Sequence, residues 1–571
     1  MASDTIDLVV VGAGAGGMTA ALVAAREGLR VVLCEATSQV GGTTATSAGT
    51  LWAPGNRHGA AAGHADSVDD AARYLQALIG PDDERGLRQA FLESVGPAID
   101  WLERHTDVAF TSSGTHPDYQ VAPGAALAGR AVSPLPFDGR LLGRDFSRVR
   151  PPLPSFMALG GMMVGKADVG ALVGRYRSRA NFLHVVRLVA RYALDRLRHP
   201  RGTRLVMGNA LVARLYYSLR QAGVDVRFGW KLTELERAHG RICGARFSLA
   251  EGGECTLATR AGVVLATGGV GHHAALRCEL GPQGFEFRSL AAEGVAGGGL
   301  EAARAVGAQL ERQQENFLWQ PVSVVPGRRG APDSLFPHLY LDRAKPGLIA
   351  VDARGERFVD EALSYHHFVE GMLQARGRSV PSWLICDARF VRRYGLGAIP
   401  PGTWRLGPWK SRGYVTVAST LPALAAQIGI EPEALIATVD RFNGFARAGC
   451  DGDFGKGDTA FDRFNGDPGV AGNPCLGPIE APPFCALAVW PADAASCGGL
   501  ATDRDGRVLD TGGLPLAGLY ACGNDAASVM QGRYPGPGAT LGPAIAAGWR
   551  VGRHASRSQA GVPQLPSQAL S

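Results

Sequence analysis

The stretch Ile6–Glu35, IDLVVVGAGAGGMTAALVAAREGLRVVLCE, decides the fold. Ile6–Val11 is an apolar, β-branched run that predicts a buried parallel strand. Gly12, Gly14 and Gly17 follow as G-x-G-x-x-G, and Met18–Arg26 predicts an alanine-rich helix closed by Gly28. Arg30–Leu33 predicts a second strand with Glu35 at its end. The glycines permit a tight turn and bring bare backbone to a pyrophosphate at the helix N-terminus. The carboxylate suits ribose hydroxyls. Strand, glycines, helix, strand and acid together predict a Rossmann-like dinucleotide site.

The 571 residues leave room for two domains. A net charge of +6 without any Lys/Arg block carries no nucleic-acid signature. Ten cysteines with no CxxC pair argue against a zinc site or a disulfide framework and fit a reducing cytoplasm. MASDTIDLVV has no basic n-region, so no signal peptide is expected, and no run of 18 apolar residues predicts a membrane span.

Outward from the fingerprint, Gly41–Ser47 is small and hydroxylated, with Gly42, Thr43, Thr44 and Ser47 able to meet ribose, phosphate or flavin edges. It resembles the GG-[ST] segment of FAD proteins. It contains no histidine, so the FAD is expected to be noncovalent. Helical periodicity covers Ser67–Ile79 and Arg85–Thr106. Val224–Phe228 and Gly262–Ala266 predict strands returning to the first sheet, the second ending in an Ala266-Thr267-Gly268-Gly269 turn beside the cofactor. Gly297–Ala302 fits G-x-G-x-x-A, but no hydrophobic strand precedes it, so no second nucleotide site is expected. Without a nicotinamide module, electrons must pass to a quinone or another non-nicotinamide carrier. Asp451 and Asp453 suggest a calcium loop, yet Gly455 and Lys456 break the spacing, and no metal is expected. The pairs His272-His273 and His366-His367 lack partners at metal or triad spacing. Leu500–Leu509 predicts a hairpin around Asp505-Gly506, and Ser556–Ser571 a frayed tail.

Three stretches stand together: the fingerprint, GERFVDEALSY (355–365) and LYACGNDAASVMQGRYPGPGATLGPAIAAG (519–548). This combination resembles the FAD-dependent 3-ketosteroid Δ1-dehydrogenases of the fumarate reductase/succinate dehydrogenase flavoprotein superfamily. The resemblance implies an α/β architecture, a discontinuous FAD-binding domain over 1–325 and 494–571 with an α+β catalytic cap over 326–493. It extends the cofactor contacts to Gly523, Asn524, Ala539 and Leu541. An acid/base residue lies four positions after the glutamate of the family's RF-x-[ND]-E motif; fumarate reductases place arginine there. Here Tyr365 follows Glu361. The YPGPG tyrosine and last glycine fall on Tyr534 and Gly538, and a loop tyrosine after Pro-Asp falls on Tyr119. Pro483-Phe484-Cys485-Ala486 and Ser496-Cys497-Gly498-Gly499-Leu500 depart from the family pattern, as does Gly-Gly-Gly near 298, leaving side-chain preference open.

The implied reaction removes two hydrogens from adjacent saturated carbons of a 3-ketosteroid. The C2 proton is acidified by the carbonyl, whose developing charge Tyr534 and the Gly538 N–H would stabilise. Tyr365 would take the proton, assisted by Tyr119, because a free phenol titrates near about 10. A 4(5α)-dehydrogenating relative, an enoate reductase (disfavoured by tyrosine at 365) and a flavin redox sensor without turnover remain open.

The segment at about 151–204 is a basic, amphipathic insertion. Pro151–Val164 is apolar for a loop. Between Asn181 and Pro200, His184, Arg187, Arg191, Asp195 and Arg198 form a polar stripe opposite Phe182, Val185, Val186, Val189, Ala193 and Leu197. The pattern suits either a helix packed on its own domain or peripheral contact with the inner face of a membrane.

Overall fold

The computed structural model describes residues 6–174, 178–282, 287–328, 330–339, 342–375 and 379–560. Strand Ile6–Val11 lies between Val31–Glu35 and Glu254–Leu265, parallel to both, with Val10 level with Leu33 and Val264. Leu8 and Val10 enter one hydrophobic core, and Val9 and Val11 enter another. A strand buried on both faces has no polar positions to alternate, which is why Leu8-Val9-Val10-Val11 reads as a continuous apolar run. Asp225–Phe228 extends this eight-stranded sheet at one edge, and the antiparallel Arg241–Leu249 and Trp230–Ala238 at the other. Pro515–Ala521 returns alongside Glu254–Leu265, so the chain's last quarter closes the domain that its first thirty residues open.

Several boundaries differ from the sequence reading. The first helix is Ala15–Arg26, so Gly17 lies inside its first turn rather than before it. The second strand is Val31–Glu35 and contains the acid. Ser67 caps its helix, accepting from the Asp70 N–H at 3.0 Å, and the next helix is Leu87–His105. The hairpin expected at Leu500–Leu509 is present in short form: Thr502 bridges Val508, and the Asp503 and Leu509 N–H groups donate to the Arg507 (3.0 Å) and Ala501 (2.8 Å) carbonyls. The last helix is Leu541–Ala560, so the chain stays ordered past Ser556; the rest of the expected tail lies outside the described residues.

The second sheet carries Ser334–Pro337, Phe317–Val325, Phe484–Ser496, Ser382–Asp387 and Leu348–Val351 in that order. Phe317–Val325, expected in the FAD-binding part, belongs here, because it pairs antiparallel with Phe484–Ser496 from Phe317↔Ser496 onward. Among the described residues no helix is long and apolar enough to cross a membrane, and none of the ten cysteines is in a disulfide.

Candidate active site

A cavity of about 1510 Å³, counted with the solvent at its mouth, runs from the C-terminal ends of the first sheet to the second sheet. Gly12 turns with φ +103°, and a methyl there would sit 2.2 Å from the Ala266 carbonyl oxygen; one on Gly17 would sit 2.1 Å from the Gly12 oxygen. A methyl on Gly14 meets nothing within 4 Å. The protein itself therefore closes the first and third glycines, and the second faces open space at the helix N-terminus. Glu35 is fixed beside it, accepting from the Ala13 N–H (3.0 Å) and from both the N–H and Oγ1 of Thr37 (2.9 Å). The Ala15 N–H donates to Thr44 Oγ1 at 3.2 Å.

Gly12, Gly14, Gly17, Glu35, Gly42, Thr43, Thr44, Ser47, Ala266, Thr267, Gly268, Gly523, Asn524 and Leu541 all line this cavity. Ala539 does not. It is buried and borders a smaller neighbouring cavity with Phe91 and Arg550. An anion-binding turn, a ribose-competent acid and a long cleft fit FAD, which these residues would hold.

At the far end stand three buried tyrosines. Tyr119 OH donates to Tyr365 OH at 3.4 Å, and Tyr365 OH donates to Tyr534 OH at 2.8 Å. Rings 119 and 534 stack at 5.4 Å and 8°, with Tyr365 edge-on to both. Gly538 lines the same end with φ +89°, its carbonyl accepting from the Trp52 N–H at 3.1 Å; a methyl there would lie 2.3 Å from the Thr50 oxygen. The Gly538 N–H has no partner among the described residues.

Each tyrosine is placed by buried polar groups. Tyr365 opens helix Tyr365–Gln374 after the Ser364 cap. Four residues before it, Glu361 is held by Arg357 through two bonds of 2.9 Å, by the Ala350 N–H (3.0 Å) and by Lys456 (3.2 Å). Burial opposes its charge, but Arg357 and Lys456 together hold the carboxyl below the usual range. Arg357 also pairs with Asp451, which occupies the supposed calcium-loop acid. The Tyr119 and Tyr534 loops are sewn together at Pro535, whose carbonyl accepts from the Tyr119 N–H (2.9 Å) and from Tyr74 OH (2.8 Å). Asp118 accepts from Trp52 Nε1 (2.8 Å) and Arg130 Nη1 (2.6 Å), while Arg130 Nη2 reaches Asp66 at 2.6 Å. Burial pushes the Asp118 carboxyl up to about 6, with Arg130 pulling the other way.

Sequence reasoning missed Arg150, Leu153, Phe156, Gln320 and Leu339, all lining the cavity. The unusually apolar Pro151–Val164 loop was the one signal for Leu153 and Phe156; nothing in the spacing of Arg150, Gln320 or Leu339 marks them. They come from an irregular segment and from strand or loop positions whose neighbours only the tertiary fold brings close. The histidines stand in local bonds: His272 with the Ala291 carbonyl, His273 capping a helix, His366 accepting from the Trp319 N–H, and His367 with Ser364 Oγ.

Residues 7–541 match the FAD binding domain family, and the chain belongs to it: a two-domain FAD-dependent oxidoreductase. Within that class it belongs to the 3-ketosteroid Δ1-dehydrogenase family, as full-length relatives show. It is 34% identical to a 3-oxosteroid 1-dehydrogenase of Mycolicibacterium smegmatis, over 96% of this chain and 97% of that one. It is similar in structure, with TM-score 0.89 and 34% identity, to the 3-ketosteroid Δ1-dehydrogenase of Sterolibacterium denitrificans solved with 1,4-androstadiene-3,17-dione, covering 97% of this chain and all of that one. It is also 37% identical to a 4-oxocyclohex-2-ene-1-carboxylate 5-dehydrogenase of Sinomonas cyclohexanicum, over 96% of this chain and 94% of the relative.

Proposed function

We propose that this chain introduces the C1=C2 double bond of 3-ketosteroids. The observation that carries the reading is the Tyr119–Tyr365–Tyr534 cluster beside the free Gly538 N–H. The ketone oxygen sits against Tyr534 OH and the Gly538 N–H, two donors aimed at charge that grows only as the enolate forms. Tyr365 OH takes the C2 proton. Its first helical position puts the positive end of the helix dipole near the developing phenolate, and Tyr119 OH bonds that oxygen and relays the proton outward. Bound FAD supplies the acceptor for the C1 hydride. Reoxidation falls to a quinone or another non-nicotinamide carrier.

The rival substrate class is a monocyclic 4-oxo acid, the class that the Sinomonas relative's name carries. A carboxylate would need a cation at the tyrosine end. Among the described cavity-lining residues the one cation, Arg150, lies instead beside Thr37 at the Glu35 end, so a neutral ketone fits better. Anaerobic incubation with androst-4-ene-3,17-dione and a dye acceptor should yield the 1,4-diene-3-one. Turnover of 4-oxocyclohexanecarboxylate alone, or a bond placed elsewhere, overturns the reading.

We further infer peripheral attachment to an anionic membrane face inside the cell. Helix Arg179–Arg196 leaves apolar side chains uncovered: Asp195 and Leu188 face the body, and Phe182, Leu183, Val186 and Leu194 are exposed. The expected polar stripe splits, with Asp195 accepting from Thr203, Arg191 pairing with Asp138 and His184 with Asp168, while Arg187 and Arg198 stay outward. Leu153 and Phe156, in the adjoining segment, line the cavity, giving a lipid-soluble substrate a short route in. Wild type should float with anionic vesicles at low salt, and a Phe182/Val186/Val189-to-Ser variant should not. Failure of the wild type to float ends this inference.

A further inference from the structure

Arg150 stands where the chain leaves the dinucleotide fold for the 151–204 excursion. Its backbone is clamped at both groups, the N–H donating to the Val40 carbonyl (3.1 Å) and the carbonyl accepting from Asn209 Nδ2 (3.0 Å). The side chain enters the main cavity. Nη2 donates to Thr37 Oγ1 at 3.4 Å, Thr37 Oγ1 in turn bonds Glu35 Oε1, and Nε is buried with no partner. Among the described residues it forms no ion pair, and no other Lys, Arg or His lines that cavity. Its neighbours are spent elsewhere: Arg148 stacks over Phe228 and bonds the Ser38 carbonyl, and Arg201 bonds Asn209 and the Val149 carbonyl.

We propose that Arg150 is a cofactor-binding residue whose guanidinium takes the diphosphate of FAD. This rests on the FAD assignment and not on which ketone is oxidised. A diphosphate brings about two negative charges into the cavity, whereas a helix N-terminus presents roughly half a positive charge. The glycine turn alone leaves most of that charge uncompensated. A planar guanidinium with a free Nε–H and a fixed backbone supplies the missing cation, and its fork suits phosphate oxygens better than an ammonium would. The weak 3.4 Å bond to Thr37 also keeps the side chain near Glu35, the group that would hold the adjoining ribose.

The test is flavin release from the holoenzyme on dilution, followed by the rise in free-flavin fluorescence, with no substrate present. Arg150→Met should release FAD about 10- to 100-fold faster than wild type. Arg150→Lys should fall between, and Arg148→Met should match wild type. Raising the salt should speed release from wild type more than from Arg150→Met, since screening acts on the charge pair that the variant lacks. ADP should compete with FAD rebinding better than adenosine does in wild type, an advantage that Arg150→Met reduces to the part the glycine turn supplies. Release at the wild-type rate from Arg150→Met overturns the proposal, as does an ADP advantage as large in the variant as in wild type. If Arg150→Met folds poorly, the Arg150→Lys rate and its salt response decide.

Discussion

Two regions of this protein bury opposite things. Around the tyrosines, polar groups are packed inside: Asp118, Arg130, Glu361 and Lys456 are all buried and bonded to one another or to backbone. In helix Arg179–Arg196 only Leu188 and Asp195 are buried, and the apolar Phe182, Leu183, Val186, Val189 and Leu194 are left outside. The first arrangement serves geometry. Buried, fully bonded ionic groups hold loops in one position, because any shift leaves an uncompensated charge. The second serves a surface, because inward ion pairs can anchor a helix while its apolar side stays free for another phase.

The largest effects are expected at the tyrosines. Tyr365→Phe should lower kcat by about 10³-fold or more and Tyr534→Phe by about 10²- to 10³-fold, with FAD content unchanged in both. Tyr119→Phe should be milder, since a relay is easier to replace than a base. Steady-state rates with a dye acceptor decide. A Tyr365→Phe enzyme near the wild-type rate would move the base elsewhere.

Acid should expose the same region next. Burial, with His366 and Arg533 adding to it, holds the His367 imidazole down to about 4. The unfolded chain takes up that proton near about 6.5. The stability His367 governs is therefore complete above about 6.5 and is lost as the pH falls from there toward 4, in all about 3 kcal/mol. The melting temperature should drop across this window, and His367→Gln should flatten the drop. An unchanged slope in the variant assigns the acid sensitivity to other groups.

What was legible in the sequence follows the same division. Gly12, Gly14, Gly17, Glu35 and the three tyrosines sit in contiguous motifs, where local spacing encodes the backbone turn that presents each side chain. The supports do not. Tyr74 reaches Pro535 across 461 positions and Trp52 reaches Asp118 across 66, and no local pattern encodes a bond that exists only after folding. The helix of the insertion was legible from its periodicity, but periodicity gives a moment without saying which side is inward. The same stripe reads alike whether the body takes the apolar or the polar face. The domain boundary expected at 325 fell too late for a related reason: Phe317–Val325 pairs with Phe484–Ser496 of the second sheet, a partner that local sequence does not name.

The support network offers a smaller effect. Tyr74→Phe removes only the bond to the Pro535 carbonyl and the Gln120 N–H contact at 3.2 Å. We expect kcat to fall about 3- to 10-fold, KM to change little, and the protein to lose about 1 kcal/mol of stability. A fall in stability without any fall in kcat would mean that the Tyr534–Gly538 loop is held well enough by the Tyr119 N–H alone.

The smallest effect is expected where the surface is already inverted. Phe182, Val186 and Val189 are 49%, 45% and 37% exposed. Replacing all three with serine removes little buried area, so melting temperature and dye-linked kcat in vesicle-free buffer should stay near wild type, each change within about 0.5 kcal/mol. Leu188, on the same helix but only 8% exposed, is the internal control: Leu188→Ala should cost about 2 kcal/mol or more, because it vacates packed space. A wide gap between the triple variant and Leu188→Ala confirms that the helix presents its apolar side to solvent when no membrane is present. If the triple variant instead melts several degrees lower, those side chains are covered in solution, as they would be against a second copy of the chain. The helix would then be an ordinary packed one, and the contrast between the two regions would vanish.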